Sequence, residues 1–82
     1  MKATVLYFAS IRDITGMGSE TFELDDGAPL ASLLDELVRR YPPVGEMMAS
    51  TMVSVNQEYV EPDAALSDGD EVALIPPVSG GS

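Results

Sequence analysis

The final stretch of the chain, Asp68 to Ser82, reads Asp-Gly-Asp-Glu-Val-Ala-Leu-Ile-Pro-Pro-Val-Ser-Gly-Gly-Ser. Asp68-Gly69-Asp70 is a turn signal, because Asp and Gly tolerate the unusual backbone angles of a tight turn. Val72 to Ile75 is a short apolar run, typical of a buried strand. The two prolines that follow, Pro76 and Pro77, have no N–H to donate to a sheet ladder. The stretch therefore predicts a turn, a last strand and a sharp end to strand pairing.

Residues 78–82 carry no helix or strand signal, and they include Gly80 and Gly81. Glycine has no side chain and takes almost any backbone angles, and chain ends of this kind are normally frayed. We therefore divide the chain into a folded domain of residues 1–77 and a flexible C-terminal tail of residues 78–82. Such a tail can be threaded into a narrow slot of another protein.

Other strands are predicted upstream of this stretch. Ala3 to Ala9 is rich in β-branched and aromatic residues and is expected to be a central strand, buried on both faces. Ser19 to Leu24 alternates apolar and polar residues and is expected to pair antiparallel with it. Thr51 to Val55 is a strand, Asn56-Gln57 is a turn, and Glu58 to Val60 is a short strand. The strands thus number four to five.

One long helix is predicted between these strands. Pro29 suits the first helical position, and Pro42-Pro43 stops the helix. The connection Ser10 to Gly18 has room for one helical turn, and a group of methionines resembles gap-fillers beneath a loop: Met47, Met48 and Met52. The helix is indicated by apolar residues at steps of three and four: Leu30, Leu33, Leu34, Leu37, Val38 and Tyr41.

One helix cannot cover both faces of a sheet, so the economical fold is α+β, with a mixed sheet packed on one main helix. The first and last strands are the most apolar and are expected to be neighbours at the centre of the sheet. Because a long crossover joins them, they run parallel. This arrangement is the ubiquitin-like β-grasp.

The composition excludes several classes of function. The 82 residues carry a net charge of −10 and contain neither cysteine nor histidine. Cysteine nucleophiles, thiolate metal sites and histidine bases are therefore excluded, and binding to nucleic acid or a membrane is not expected. No metal site is predicted, and a cytoplasmic location is the default. The acidity favours solubility, steering toward basic partners, or adaptation to high salt, and the sequence does not choose among these.

The chain resembles a known family along most of its length. Leu6-Tyr7-Phe8-Ala9 is similar to that family's first strand, and Asn56 to Val60 to its middle turn. The most specific match is Asp68 to Ala73 followed by Pro76 to Gly81. The family is the small, sulfur-carrying subunit of molybdopterin synthase.

This resemblance implies a sulfur carrier in molybdenum cofactor biosynthesis, without catalytic side chains or bound cofactor of its own. Gly81 would be adenylated by an activating enzyme that uses ATP and Mg²⁺, and sulfur from a donor would then replace AMP to give a thiocarboxylate. The tail would enter the large synthase subunit, in a heterotetramer, and give its sulfur to cyclic pyranopterin monophosphate. Gly80 would provide clearance, and the partner-binding residues would be Phe8, Ile75, Pro76, Pro77, Val78 and Ser79.

Ser82 departs from the family pattern, which ends at the second glycine. Ser82 is a remnant of cloning, or an extension that a protease removes, or the mark of a carrier that is inactive as written. Other functions also remain open at this point. These are a sulfur carrier for thiamin thiazole or another pathway, a ubiquitin-like modifier attached to lysines through Gly81, and an interaction domain with an inert tail.

Overall fold

The computed structural model describes residues 1–77. The predictions for the tail, residues 78–82, lie outside the described residues. The strands are β1 (Lys2–Tyr7), β2 (Ser19–Glu23), β3 (Met52–Val55), β4 (Glu58–Tyr59) and β5 (Glu71–Ile75). The helices are α1 (Ala9–Thr15), α2 (Leu30–Arg40) and α3 (Pro42–Gly45), and a 3₁₀ turn spans Met48–Ser50.

The strands form one mixed sheet in the order β2-β1-β5-β3-β4. The central pair, β1 and β5, is parallel, with Val5 opposite Val72. The other pairs are antiparallel. The α+β architecture and the ubiquitin-like β-grasp are therefore confirmed, including the parallel first and last strands.

The core lies between one face of this sheet and α2. Leu30, Leu33 and Leu37 are buried on the inner side of the helix, as the three- and four-residue steps predict. Val5 and Val72 are buried beneath them at the centre of the sheet. Burial of these side chains is the main stabilising contribution in a domain of this size.

The prediction that the first strand is buried on both faces is wrong. Ala3, Val5 and Tyr7 are buried, whereas Thr4 and Leu6 are only partly buried. No second layer of the described residues covers the outer face of the sheet. The strand also ends at Tyr7, because Ala9 takes a left-handed φ of 50° and begins α1. The connection after it is thus a helix of 7 residues, longer than the single turn expected.

The prolines beside α2 have slightly different roles from those predicted. Pro29 precedes the first helical residue and caps the helix in an extended conformation. The backbone N–H of Leu30 donates to Ala64 O at 2.9 Å, so a later loop satisfies the exposed start of the helix. Pro42 follows the end of α2 and itself starts α3, since proline fits the first turn of a helix.

Of the methionines taken as gap-fillers, Met47 and Met48 pack against the core, as predicted. Met52 is 51% exposed and lies on β3, so the prediction is wrong for it. Among residues 1–77, no helix is both long enough and apolar enough to span a membrane.

Candidate docking face and tail exit

The predicted tail leaves the domain from the middle of the sheet. β5 lies between β1 and β3 and ends at Ile75. Pro76 is buried and Pro77 is exposed, so Pro76 offers a partner little side-chain surface in this conformation. The other predicted tail positions, Val78, Ser79, Gly80 and Gly81, lie beyond the part of the chain that the structure describes.

The outer face of the sheet, opposite α2, is built in three rows across the strands. The middle row is set by the register, in which Ala73 pairs with Leu6 on one side and with Ser54 on the other. Ser54 in turn pairs with Tyr59. Two small side chains therefore stand at the centre of this row, between two large ones.

The row nearest the tail exit is apolar. Ile75 pairs with Met52, and Phe8 follows Tyr7, whose partner across the parallel pair is Leu74. Phe8 and Ile75 are 43% and 40% exposed. The structure thus brings both predicted partner-binding side chains together on the outer face, where they are accessible to a partner. Their role as partner contacts stays a prediction.

Local backbone geometry explains why Phe8 is exposed. Phe8 is extended, with φ −127° and ψ 153°, and its carbonyl oxygen accepts from the N–H of Ile11 at 3.1 Å. The left-handed turn at Ala9 then starts α1, and Ile11 becomes fully buried. The chain therefore turns inward only after it has placed the Phe8 ring on the outer face.

The row farthest from the tail exit is polar. Thr4 pairs with Glu71, and the N–H of Asn56 donates to Glu71 O at 2.8 Å. The Asn56 amide nitrogen also donates to Asp70 Oδ1 at 3.0 Å, which ties the turn between β3 and β4 to the start of β5. This end of the face is therefore connected by hydrogen bonds to the turn, and it carries the negative charge of Glu71.

A notch of about 310 Å³ opens above the small side chains Ala73 and Ser54. Phe8 and Ile75 line it toward the tail exit, and Tyr59 and Glu71 line it elsewhere. Sequence reasoning selected only Phe8 and Ile75 from this surface. The alternation along β5, which puts residues 71, 73 and 75 on one face, could have indicated Glu71 and Ala73 as well.

Residues 1–77 contain no group of acidic side chains placed to hold a metal ion, and the sequence contains no histidine or cysteine. What the described residues show is an exposed apolar row beside the end of β5. It can orient the C-terminal tail relative to another protein.

Comparison with known proteins agrees with this arrangement. The model of the ThiS family matches residues 5–81. The molybdopterin synthase sulfur carrier subunit of Chlamydomonas reinhardtii is 47% identical over 99% of this chain and 100% of its own length. The resemblance noted in the sequence is thereby confirmed.

Two solved structures are similar in fold and sequence. The putative molybdopterin converting factor subunit 1 of Pyrococcus furiosus has a TM-score of 0.86 at 35% identity, covering 95% of this chain and 99% of that one. SAMP1 of Haloferax volcanii has a TM-score of 0.87 at 30% identity, covering 99% and 100%. On the match of its sequence and of its fold, the chain belongs to the ThiS family.

Proposed function

We propose that this chain is the sulfur carrier subunit of a molybdopterin synthase and acts in molybdenum cofactor biosynthesis. The observation that carries the proposal is the 47% identity with the sulfur carrier subunit of Chlamydomonas reinhardtii, over 99% of this chain. The β-grasp fold and the exit of the C-terminal segment beside an exposed apolar face support it.

The reacting group in this proposal is the carboxylate of Gly81. A carboxylate is a poor electrophile, because its charge is delocalised over both oxygens. Attack of this carboxylate on the α-phosphate of ATP, in an activating enzyme that holds Mg²⁺, releases pyrophosphate and forms an acyl-adenylate. A sulfur nucleophile from a donor then displaces AMP and leaves a thiocarboxylate. Gly81 lies four residues beyond Pro77, a reach of about 13 Å when extended.

The partner that receives this sulfur is the large subunit of the synthase. Phe8 and Ile75 are proposed to meet it, because both are exposed beside the tail exit. Pro77, Val78 and Ser79 are proposed to follow the tail into the partner's active site, with Gly80 giving clearance. The carrier contributes orientation and a reactive end, and substrate conversion takes place in the partner.

The test uses chains that end at Gly81 and at Ser82. In an ATP–pyrophosphate exchange assay with the activating enzyme, only the chain that ends at Gly81 is expected to be adenylated, because in the longer chain the Gly81 carbonyl belongs to an amide. Intact mass after incubation with a sulfur donor should then show one oxygen replaced by sulfur. Gly81→Ala in the shorter chain should react more slowly, since the methyl group restricts the backbone. Equal exchange for both ends would remove Gly81 from this role.

A second candidate is a protein modifier conjugated through Gly81. The similarity to SAMP1 of Haloferax volcanii, which is named a small archaeal modifier protein, favours it at a TM-score of 0.87 and 30% identity. Conjugation would join Gly81 to lysines of other proteins, and a protease that cleaves after Ser79 would leave Gly-Gly adducts on those lysines. Mass spectrometry of cells with and without the chain distinguishes the two functions, because a carrier alone produces no such adducts.

A further inference from the structure

Met52 is a methionine that neither the core nor the sulfur-transfer chemistry uses. It begins β3 and is 51% exposed. Of the five methionines in the sequence, Met17 is 39% exposed, and Met1, Met47 and Met48 are partly buried against the core. Because the sequence contains no cysteine, these thioethers are the only side-chain sulfur groups. Met52 is therefore the sulfur-bearing side chain most accessible to a dissolved reagent.

The geometry of β3 holds Met52 on the outer face of the sheet. Val53 and Val55 pack in the core, and successive side chains of a strand point to opposite faces. Met52 therefore points away from α2, on the same face as Ser54. It cannot turn inward without breaking its pairing with Ile75. A reagent can reach this side chain without any unfolding of the domain.

The position of Met52 links its chemical state to the exit of the tail. Met52 and Ile75 are directly opposite in an antiparallel pair, where Cβ atoms lie about 4.5–5.5 Å apart. Ile75 is 40% exposed, and Pro76 follows it directly. Met52 thus continues the apolar row at the tail exit. A polar group on Met52 would interrupt that row.

The reaction that makes this change is a two-electron oxidation by hydrogen peroxide. A lone pair of the thioether sulfur attacks one peroxide oxygen, the O–O bond breaks and an S–O bond forms. The departing hydroxide takes the proton of the transferred oxygen, so the products are methionine sulfoxide and water. Hydrogen peroxide is uncharged, and the net charge of −10 does not repel it as it repels anionic oxidants. Reductases that draw two electrons from a dithiol restore the thioether.

We propose that Met52 is a reversible oxidation site, and that its sulfoxide weakens the binding of this carrier to its protein partner. The inference rests on the proposed function, in which the partner is the large synthase subunit. A sulfoxide oxygen placed against an apolar surface loses its hydrogen bonds to water, and an unpaired buried polar group opposes association. Met52 lies outside the core cluster of residues 1–77. Its oxidation therefore lowers affinity for the partner while the fold is retained.

The partly buried methionines are expected to respond in the opposite way. Met47 and Met48 pack against the core, and the Met47 carbonyl oxygen accepts from Thr51 Oγ1 at 2.8 Å. A sulfoxide at either position would bring a polar group into apolar surroundings and disrupt the packing. Oxidation there should lower the midpoint of thermal unfolding. Loss of binding at an unchanged midpoint therefore distinguishes Met52 from the methionines of the core.

The first experiment compares each chain with its own untreated form. The chains end at Gly81, carry no transferred sulfur, and have the unmodified sequence, Met52→Leu or Met17→Leu. Peptide mapping by mass spectrometry locates the added oxygen after treatment with hydrogen peroxide. In calorimetric titration with the large synthase subunit, oxidation should raise Kd by about tenfold or more in the unmodified chain. A methionine sulfoxide reductase with a dithiol should reverse the change.

Met17 provides the matched control. It is exposed, but it precedes β2, which β1 and β5 separate from β3. Oxidised Met17→Leu should therefore lose affinity as the unmodified chain does, whereas the Kd of Met52→Leu should not change on oxidation. Thermal melts of the treated chains should show an unchanged midpoint at the peroxide dose that converts Met52.

A second pair of variants needs no oxidant. Met52→Gln places a polar side chain of similar length at the same position, and it should raise Kd by about tenfold relative to Met52→Leu. Met17→Gln and Met17→Leu make the same comparison at the control position, and their Kd values should agree. This pair keeps the test decisive if peroxide also reaches a methionine of the core.

The outcomes separate this inference from the proposed function. If the untreated chain binds the large subunit and conversion of Met52 to its sulfoxide leaves Kd unchanged, the inference is overturned, although the carrier function stands. An equal loss of affinity in oxidised Met52→Leu would assign the effect to another methionine. A peptide map in which Met52 stays reduced while Met17 is converted would also overturn the inference. If the untreated chain does not bind the large subunit, the proposed function fails and the inference fails with it.

Discussion

Tyr7 donates its phenolic hydroxyl to Glu20 Oε1 at 2.7 Å, which joins the buried end of β1 to the edge strand β2. Glu20 also accepts from the Tyr41 hydroxyl at 3.1 Å and from Arg40 Nη1 at 2.9 Å. One carboxylate thus ties the edge of the sheet to the end of α2. Removing one member of such a network costs stability, because it leaves the remaining polar groups without their hydrogen-bond partner.

The Tyr7 hydroxyl gives the fold a dependence on alkaline pH. Burial raises the pKa of Tyr7 above its ordinary value of 10.0, and the hydrogen bond to Glu20 raises it further. The unfolded chain therefore loses this proton at lower pH than the folded chain. The resulting stability is complete below pH 10 and is lost as pH rises above it, by up to about 1.4 kcal/mol per pH unit.

Urea unfolding at pH values on both sides of 10 measures this loss. Tyr7→Phe should be less stable near neutral pH by about 1 kcal/mol, because a hydrogen bond is lost, and should show a shallower decline at alkaline pH. Tyr59→Phe, at a side chain that is 68% exposed, should decline like the unmodified chain. Equal slopes for the unmodified chain and Tyr7→Phe would contradict the assignment.

The phase of α2 predicts a ranking of two adjacent leucines. Leu33 is fully buried, whereas Leu34 is only partly buried at the edge of the core. Leu33→Ala should lower the free energy of unfolding by about 2–5 kcal/mol, and Leu34→Ala by less. Asp35→Ala, on the exposed side of the helix, serves as the control with little effect. Chemical denaturation gives the three values, and a larger loss at Leu34 would mean that the helix is rotated from the described position.

Gly45 allows α3 to approach α2. A Cβ at this position would lie 2.9 Å from Val38 Cγ1, closer than such atoms can come. Gly45→Ala should therefore destabilise the domain by about 1–3 kcal/mol. Val38→Ala removes the obstructing methyl groups, so the double variant Val38→Ala, Gly45→Ala should lose less than the sum of the two single changes. Additive losses in thermal melts would show that the contact does not limit this position.

The turn between β3 and β4 contains a correctable strain. Asn56 and Gln57 have φ values of 51° and 70°, both in the left-handed region. Asn tolerates this conformation, whereas it strains the backbone of Gln. Asn-Gly is the preferred pair for such a hairpin turn. Gln57→Gly should stabilise the domain by about 0.5–1 kcal/mol, after the added freedom of the unfolded chain is deducted. A lower midpoint of unfolding for Gln57→Gly would contradict this reading of the turn.

Local signals in the sequence were sufficient for the five strands, the long helix α2 and their order, whereas α1 proved longer than expected and α3 was not predicted. Asp68-Gly69-Asp70 and Asn56-Gln57 mark turns, and the steps from Leu30 to Leu37 mark a helix with one apolar side. One helix and two strongly apolar strands leave few ways to build a core, so the β-grasp and its parallel central pair followed. The candidate contacts Phe8 and Ile75 came from the family resemblance, and the structure places both on the exposed face.

Tertiary structure alone decided which side chains meet across the strands. Ala73 faces Leu6 and Ser54 only because β1, β5 and β3 align in one register, and no local pattern states that register. The same holds for Glu20, which meets Tyr7 and Tyr41 from distant parts of the chain. Burial of the second face of β1 was predicted wrongly, because an apolar run has the same sequence pattern whether the domain itself covers one face of the strand or both. Periodicity along the chain determines the elements, whereas the notch arises from neighbours that the fold brings together.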